Sequence, residues 1–137
     1  MKSENVITLD NLSSSATAQR YGIDNTPPEA ARCMLAILMH RVIEPIEREW
    51  DGRLIVASGY RCPRLNALLE GSRHSHHILG CAVDLTAGSK KANKRLRHLL
   101  LTMQREGRLP ATHIITDRQL RWIHVAYVPS IAVARRR

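Results

Sequence analysis

The sequence predicts an α+β domain: a small antiparallel sheet flanked by helices. Two observations predict it. Short β-rich runs (Leu54–Ala57, Cys81–Leu85, Thr112–Thr116) alternate with stretches of helical spacing, above all Lys90–Arg105. In addition, Thr112–Thr116 and the return run Arg121–Val128 are separated only by Asp117-Arg118-Gln119-Leu120, a hairpin turn that forces an antiparallel pair. At 137 residues the chain fits a single domain, 1–137, able to bury its own core.

The elements follow in order. Thr8 to Tyr21 read as short helical turns closed by Gly22 as a C-cap. Asp24-Asn25 is a turn. Thr26-Pro27-Pro28-Glu29 reads as a helix start, with Thr26 as N-cap, proline in the first helical position and Glu29 closing a capping box. Ala30, Met34, Ile37, Leu38 and Val42 then recur at helical spacing, and Cys33 is expected to be a small buried hydrophobe. Pro45 is expected to kink or end this helix, because it removes a hydrogen bond to the preceding turn. After the turn Asp51-Gly52, the buried-looking strand Leu54–Ala57 delivers Ser58-Gly59-Tyr60-Arg61 at its carboxyl end. Pro63 to Leu69 is a short helix ending before Gly71. Cys81 to Leu85 alternates as a strand should, so Ala82 and Asp84 project to one face and Cys81 and Val83 to the other. Ser89 caps the helix Lys90–Arg105. Its Ala92, Leu96, Leu99, Leu100 and Met103 face inward, while Lys91, Lys94, Arg95 and Arg105 form a solvated face. Residues 1–8 and 129–137 are expected to be mobile termini.

Composition narrows the class. No apolar run is long enough to span a bilayer. Met1 to Ser15 lacks the apolar centre of a signal peptide, so the chain is expected to be cytoplasmic as synthesised. The three cysteines are widely spaced and odd in number, which suits a reducing compartment rather than a disulfide framework. A net charge of +9 draws the protein to polyanions. Two Trp and three Tyr, with no Phe, leave few stacking platforms, so nucleic acid is not the expected partner. A monomer without a membrane partner is expected.

The chemistry is concentrated in Gly71 to Asp84, which holds His74, His76, His77, Cys81 and Asp84. His77 and Asp84 are seven residues apart with Gly80 between them. A glycine there lets a turn carrying His77 fold back over a strand carrying Asp84. Neutral imidazole and carboxylate are zinc ligands, and a catalytic zinc site takes three of them and leaves one position open. His124, in the β-rich run beginning at Arg121, is the candidate third ligand, completing the set His77, Asp84, His124. By spacing alone, a His-x6-Asp pair is also what a solvated turn and a strand-end cap would show. His74 and His76 are read as surface or cleft residues. Cys81 falls on the opposite strand face.

These residues resemble a known family. Ser75-x-His77-x-x-Gly80-x-Ala82-x-Asp84, with the later Trp122-x-His124, resembles the zinc signature of the D-alanyl-D-alanine carboxypeptidases. That family includes phage L-alanyl-D-glutamate endolysins and is similar in fold to the hedgehog signalling domain. Ser58-Gly59-Tyr60-Arg61-Cys62-Pro63-x-Leu65-Asn66 resembles its upstream segment, and Ala18-x-Arg20-x-Gly22-Ile23-Asp24-Asn25-Thr26-Pro27-Pro28 the start of its small single-domain branch. The resemblance implies a hedgehog-like zinc peptidase acting on peptidoglycan stem peptides, as carboxypeptidase or endopeptidase, at the cell wall after release. It also implies roles. Arg61 would hold a substrate carboxylate or carbonyl oxygen in a guanidinium fork. Ser75 would orient substrate or His77. Asp117, where the family carries a glutamate, would serve as general base, although aspartate is one methylene shorter. Trp122 would pack beneath the site. The alternative class is a non-catalytic zinc-containing module of phage or mobile-element origin that binds wall polymer or nucleic acid through its basic surface.

Overall fold

The computed structural model describes residues 6–110 and 112–128. A 3-10 turn, Asp10–Leu12, precedes five helices: α1 (Ala16–Arg20), α2 (Glu29–Leu38), α3 (Glu44–Glu49), α4 (Pro63–Leu68) and α5 (Lys90–Arg105). Four strands, β1 (Ile55–Ser58), β2 (Ala82–Thr86), β3 (Thr112–Thr116) and β4 (Ile123–Tyr127), form one antiparallel sheet in the order β1-β2-β4-β3. The α+β class is therefore as the sequence predicts. Among the described residues no helix is long and apolar enough to cross a membrane.

The sheet has two unlike faces. Val83, Leu85, Ile123 and Val125 are all fully buried and join Leu35, Leu38, Val42, Ile46, Leu96, Leu100 and Met103 in one core. The helices thus cover this face. The alternate residues Ala82, Asp84, His124 and Ala126 stand on the other.

Several expectations need correction. Helix α2 starts at Glu29, not beside Thr26, and Pro28 holds the cap position with no side-chain cap bond. Asp24 Oδ1 accepts from both the Thr26 amide (3.0 Å) and its hydroxyl (2.6 Å), so Thr26 is spent on a turn. Each residue before a proline is also steered away from the helical region. The buried stripe of α2 is Ala31, Leu35 and Leu38; Ala30 and Cys33 are exposed and Ile37 is largely so. This helix is apolar nearly all round, so spacing alone places the stripe one residue off.

Pro45 does not end the helical run. A π-helical turn, Met39–Ile43, intervenes, and Pro45 sits in the first turn of α3. The wider turn accommodates a missing amide donor that a regular helix interior could not. Strand β1 is an edge strand with Ile55 and Ala57 exposed, whereas Leu54 just before it is buried. Ile7, inside the stretch expected to be a mobile terminus, is buried and donates its amide to Glu47 Oε2 at 2.9 Å. The expected tail, 129–137, lies outside the described residues.

Candidate metal centre

Four side chains line up across the sheet. The register sets Ser58 opposite Asp84, Asp84 opposite His124, and His124 opposite Ile115. Directly paired residues share a face, so this row stands on the face turned away from the helices. Ser58 reaches it through a bulge: Val56 pairs with Leu85 and Ser58 with the very next residue, Asp84. Without that extra residue Ala57 would face Asp84 and Ser58 would turn to the core.

His77 arrives from the loop before β2. Its amide donates to Ser75 Oγ at 3.1 Å, and the Cys81 amide closes the loop onto the His76 carbonyl at 3.2 Å. Gly80 permits the return. Its φ is +79°, and a Cβ there would lie 2.4 Å from the Ala31 carbonyl oxygen. The His77 ring is buried, with Nδ1 2.7 Å from the Gly59 carbonyl oxygen. A carbonyl only accepts, so Nδ1 carries the proton and the Nε2 lone pair is left free. Gly59 is held to its identity by space: a Cβ would fall 2.1 Å from the Leu12 carbonyl oxygen.

The donors converge. His77 Nε2 lies 3.4 Å, and His124 Nδ1 2.8 Å, from the same atom, Asp84 Oδ1. One donor atom from each of the three residues lies within 4.8 Å of the others. Bonds of roughly 2.0–2.1 Å at tetrahedral angles set ligand atoms about 3.3 Å apart. Two imidazole nitrogens and one carboxylate oxygen therefore suit zinc both in kind and in spacing. Burial alone would push the Asp84 carboxyl up, but the hydrogen bond from His124 and the nearby His77 imidazole more than offset it and bring its pKa down to about 2. The carboxylate is thus the charged form, the one a cation needs.

Arg61 borders this group. Its Nε donates to Ser58 Oγ at 3.1 Å, its Nη1 to Asn66 Oδ1 at 3.3 Å, and its Nη2 lies 3.7 Å from Asp84 Oδ2. Burial lowers its pKa and the Asp84 charge raises it in part. Asn66, itself buried, is fixed in turn by donating Nδ2 to the Ser72 carbonyl at 2.8 Å.

This geometry coincides with a family match: the family model described as Peptidase M15 fits residues 5–126. The chain belongs to the M15 peptidases. Searches of curated proteins and of solved structures each returned no match. Membership makes this chain a metallopeptidase of a zinc-dependent family, with all three convergent donors inside the matched span.

The remaining residues of this M15 peptidase divide into those at the centre and those around it. Asp117 follows β3, two residues past Ile115, at the start of the turn that leads to β4, where the Leu120 amide donates to its carbonyl at 3.1 Å. Its Oδ2 accepts from Arg121 Nε at 2.7 Å and its Oδ1 from the Arg121 amide at 3.0 Å. The Arg121 contact holds the Asp117 carboxyl below the usual carboxylate range. The same Arg121 guanidinium lies over the half-buried Trp122 ring, 4.5 Å from its centroid. Cys81 is buried, with its thiol pushed up by that burial, and is not among the converging donors. His74 is exposed, as expected of a surface histidine.

Ser58 and Asn66 belong to the segment that carries the resemblance, but sequence reasoning gave them no role in holding Arg61, and it overlooked His113. Register places His113 opposite Ala126, one step along the same face from Ile115 and His124. Its ring packs edge-on to His76, 6.3 Å between centroids. Burial, then the imidazoles of His124, His113 and His77, keep His76 below the ordinary histidine value. The signal for His113 was available: in a hairpin, residues two apart from a site residue's partner share its face.

Proposed function

We propose that this M15 peptidase hydrolyses an amide bond in a peptidoglycan stem peptide, with zinc held by His77, Asp84 and His124. The supporting observation is the convergence of two donors from one row of the sheet, Asp84 and His124, with His77 from the loop before β2, its other ring nitrogen bound to Gly59. Bound there, zinc supplies Lewis-acid polarisation of the scissile carbonyl and of water.

The chain's own groups take the other roles. Arg61 is pinned through Nε and Nη1 and sits beside the row, so its guanidinium is aimed before substrate arrives. Such a group stabilises the negative charge that builds on oxygen in the transition state. Asp117 accepts the proton of the attacking water and returns it to the leaving amine. Its contact with Arg121 keeps it ionised, the form that can accept. Ser75 holds the His77 amide and orients that ligand. Ile115, directly across from His124 and 57% exposed, offers an apolar contact beside the scissile bond.

The test is release of new amino termini or free D-alanine from purified stem peptides, with and without chelator. Hydrolysis that chelator abolishes and zinc restores is the expected result, and the product formed separates carboxypeptidase from endopeptidase. A folded, zinc-loaded protein that leaves every stem peptide intact would contradict the reading and favour a binding module.

A further inference from the structure

The outer face of α5 has no role in the centre described above. Between Lys90 and Arg97 it carries Lys90, Lys91, Lys94, Arg95 and Arg97, and the whole helix has no acidic residue. All five are exposed. They supply five positive charges in a chain whose net charge is +9.

Helix stability does not explain them. Lys90 and Lys91 open the helix, where cations oppose its dipole. Lys90 and Lys94, and Lys91 and Arg95, are like-charged pairs four residues apart, which repel. The opposite flank of the same helix, Leu96, Leu100 and Met103, is buried in the core. The face therefore points away from His77, Asp84 and His124, which stand on the far side of the sheet.

A groove of about 620 Å³ borders this face, lined by Trp50, Lys94, Arg95, His98, Leu99 and Thr102 with Glu49 and Asp51. Glu49 is ion-paired with Arg108, so its charge is largely spent. Arg95 lies over the Trp50 ring, 5.4 Å from the centroid. That contact fixes a guanidinium at the groove and occupies the aromatic face on which a nucleic-acid base would stack.

We propose that the α5 face docks a linear polyol-phosphate polymer of the cell envelope. Charge complementarity supports a repeating phosphate: five cations within about two turns of α5, with Lys90 and Lys94 roughly 6 Å apart along the axis, match a flexible anionic chain lying along the helix. The covered aromatic disfavours nucleic acid, and the buried apolar flank leaves nothing to insert into a lipid surface. Resting on the reading of a wall-peptide substrate, this mode holds the protein on the wall and leaves the metal centre, on the other side of the sheet, uncovered by the polymer.

The experiment titrates labelled, lipid-free poly(glycerol phosphate) into the zinc-loaded full chain across a salt series. Binding is read by anisotropy, so the outcome does not depend on any hydrolysis. The variant Lys91→Ala/Lys94→Ala/Arg97→Ala places the best helix former at three exposed positions and should fold normally. It is expected to lose at least tenfold in affinity at low salt, with the slope of log K against log salt falling by about two on the single-strand scale. An equal loss in the charge-matched variant Arg20→Ala/Arg32→Ala/Arg41→Ala would overturn the assignment to α5. Tighter binding of a single-stranded oligonucleotide than of poly(glycerol phosphate), or no binding of the latter, would overturn the choice of partner.

Discussion

At the scale of single residues, the centre depends on which atoms are already committed. His77 Nδ1 is bound to Gly59 and its amide to Ser75, so only Nε2 faces Asp84. Arg61 is aimed by Ser58. Ser58→Ala should leave zinc content unchanged and lower kcat/KM by roughly tenfold, about 1.4 kcal/mol of transition-state stabilisation. Unchanged kinetics would remove Ser58 from the account. Arg121 lowers the pKa of Asp117. If Asp117 must be ionised to accept a proton, removing that partner raises its pKa. Arg121→Gln should therefore move the acid limb of the kcat/KM profile to higher pH, and an unmoved limb would argue against Asp117 as the base.

The elements carry these atoms to one place. All four strands contribute to one row only because β1 bulges before Ser58, β2 and β4 pair with Asp84 opposite His124, and β3 sets Ile115 opposite His124. Gly80, left-handed and pressed on the Ala31 carbonyl, couples the His77 loop to α2. Gly80→Ala should cost about 1–3 kcal/mol of stability and weaken metal affinity as well, because the loop that turns there carries a ligand. Thermal unfolding with and without zinc separates the two effects.

Much of this level was legible from sequence. Lys90–Arg105 and Thr112–Thr116 are long or alternating enough that pattern decides them, and the observed bounds agree. Asp84 and Ala82 sharing a face followed from period two. What was not legible depended on competing local bonds. Thr26 chose Asp24 over a helix cap, the π-helical turn absorbed Pro45, and a largely apolar α2 hid which side was buried. The bulge that aims Ser58 leaves no mark in composition. His113 was within reach of the same period-two reasoning, two residues from Ile115, but only once the hairpin register setting Ile115 opposite His124 is known.

At the scale of the whole molecule, the sheet separates two tasks. One face joins the core and the other holds the metal donors. Stability and metal binding should therefore be partly separable: chelation should lower Tm by several degrees without unfolding the chain, since the core does not pass through the centre. Asp84 adds a pH dependence. Its folded pKa of about 2 lies below the ordinary 3.8. A depressed carboxyl contributes stability above the unfolded value and loses it as pH falls toward the folded one. The metal-free protein should thus lose on the order of 2 kcal/mol between roughly pH 4 and pH 2, and Asp84→Asn should flatten that loss in acid titrations followed by circular dichroism.

The central claim is that His77, Asp84 and His124 together hold one zinc ion. Elemental analysis of the purified wild type and of His124→Ala, alongside stem-peptide hydrolysis, addresses it most directly. Stoichiometric zinc in the wild type, with both zinc and hydrolysis lost in a still-folded variant, is the predicted result. Zinc retained at full stoichiometry in His124→Ala would contradict it.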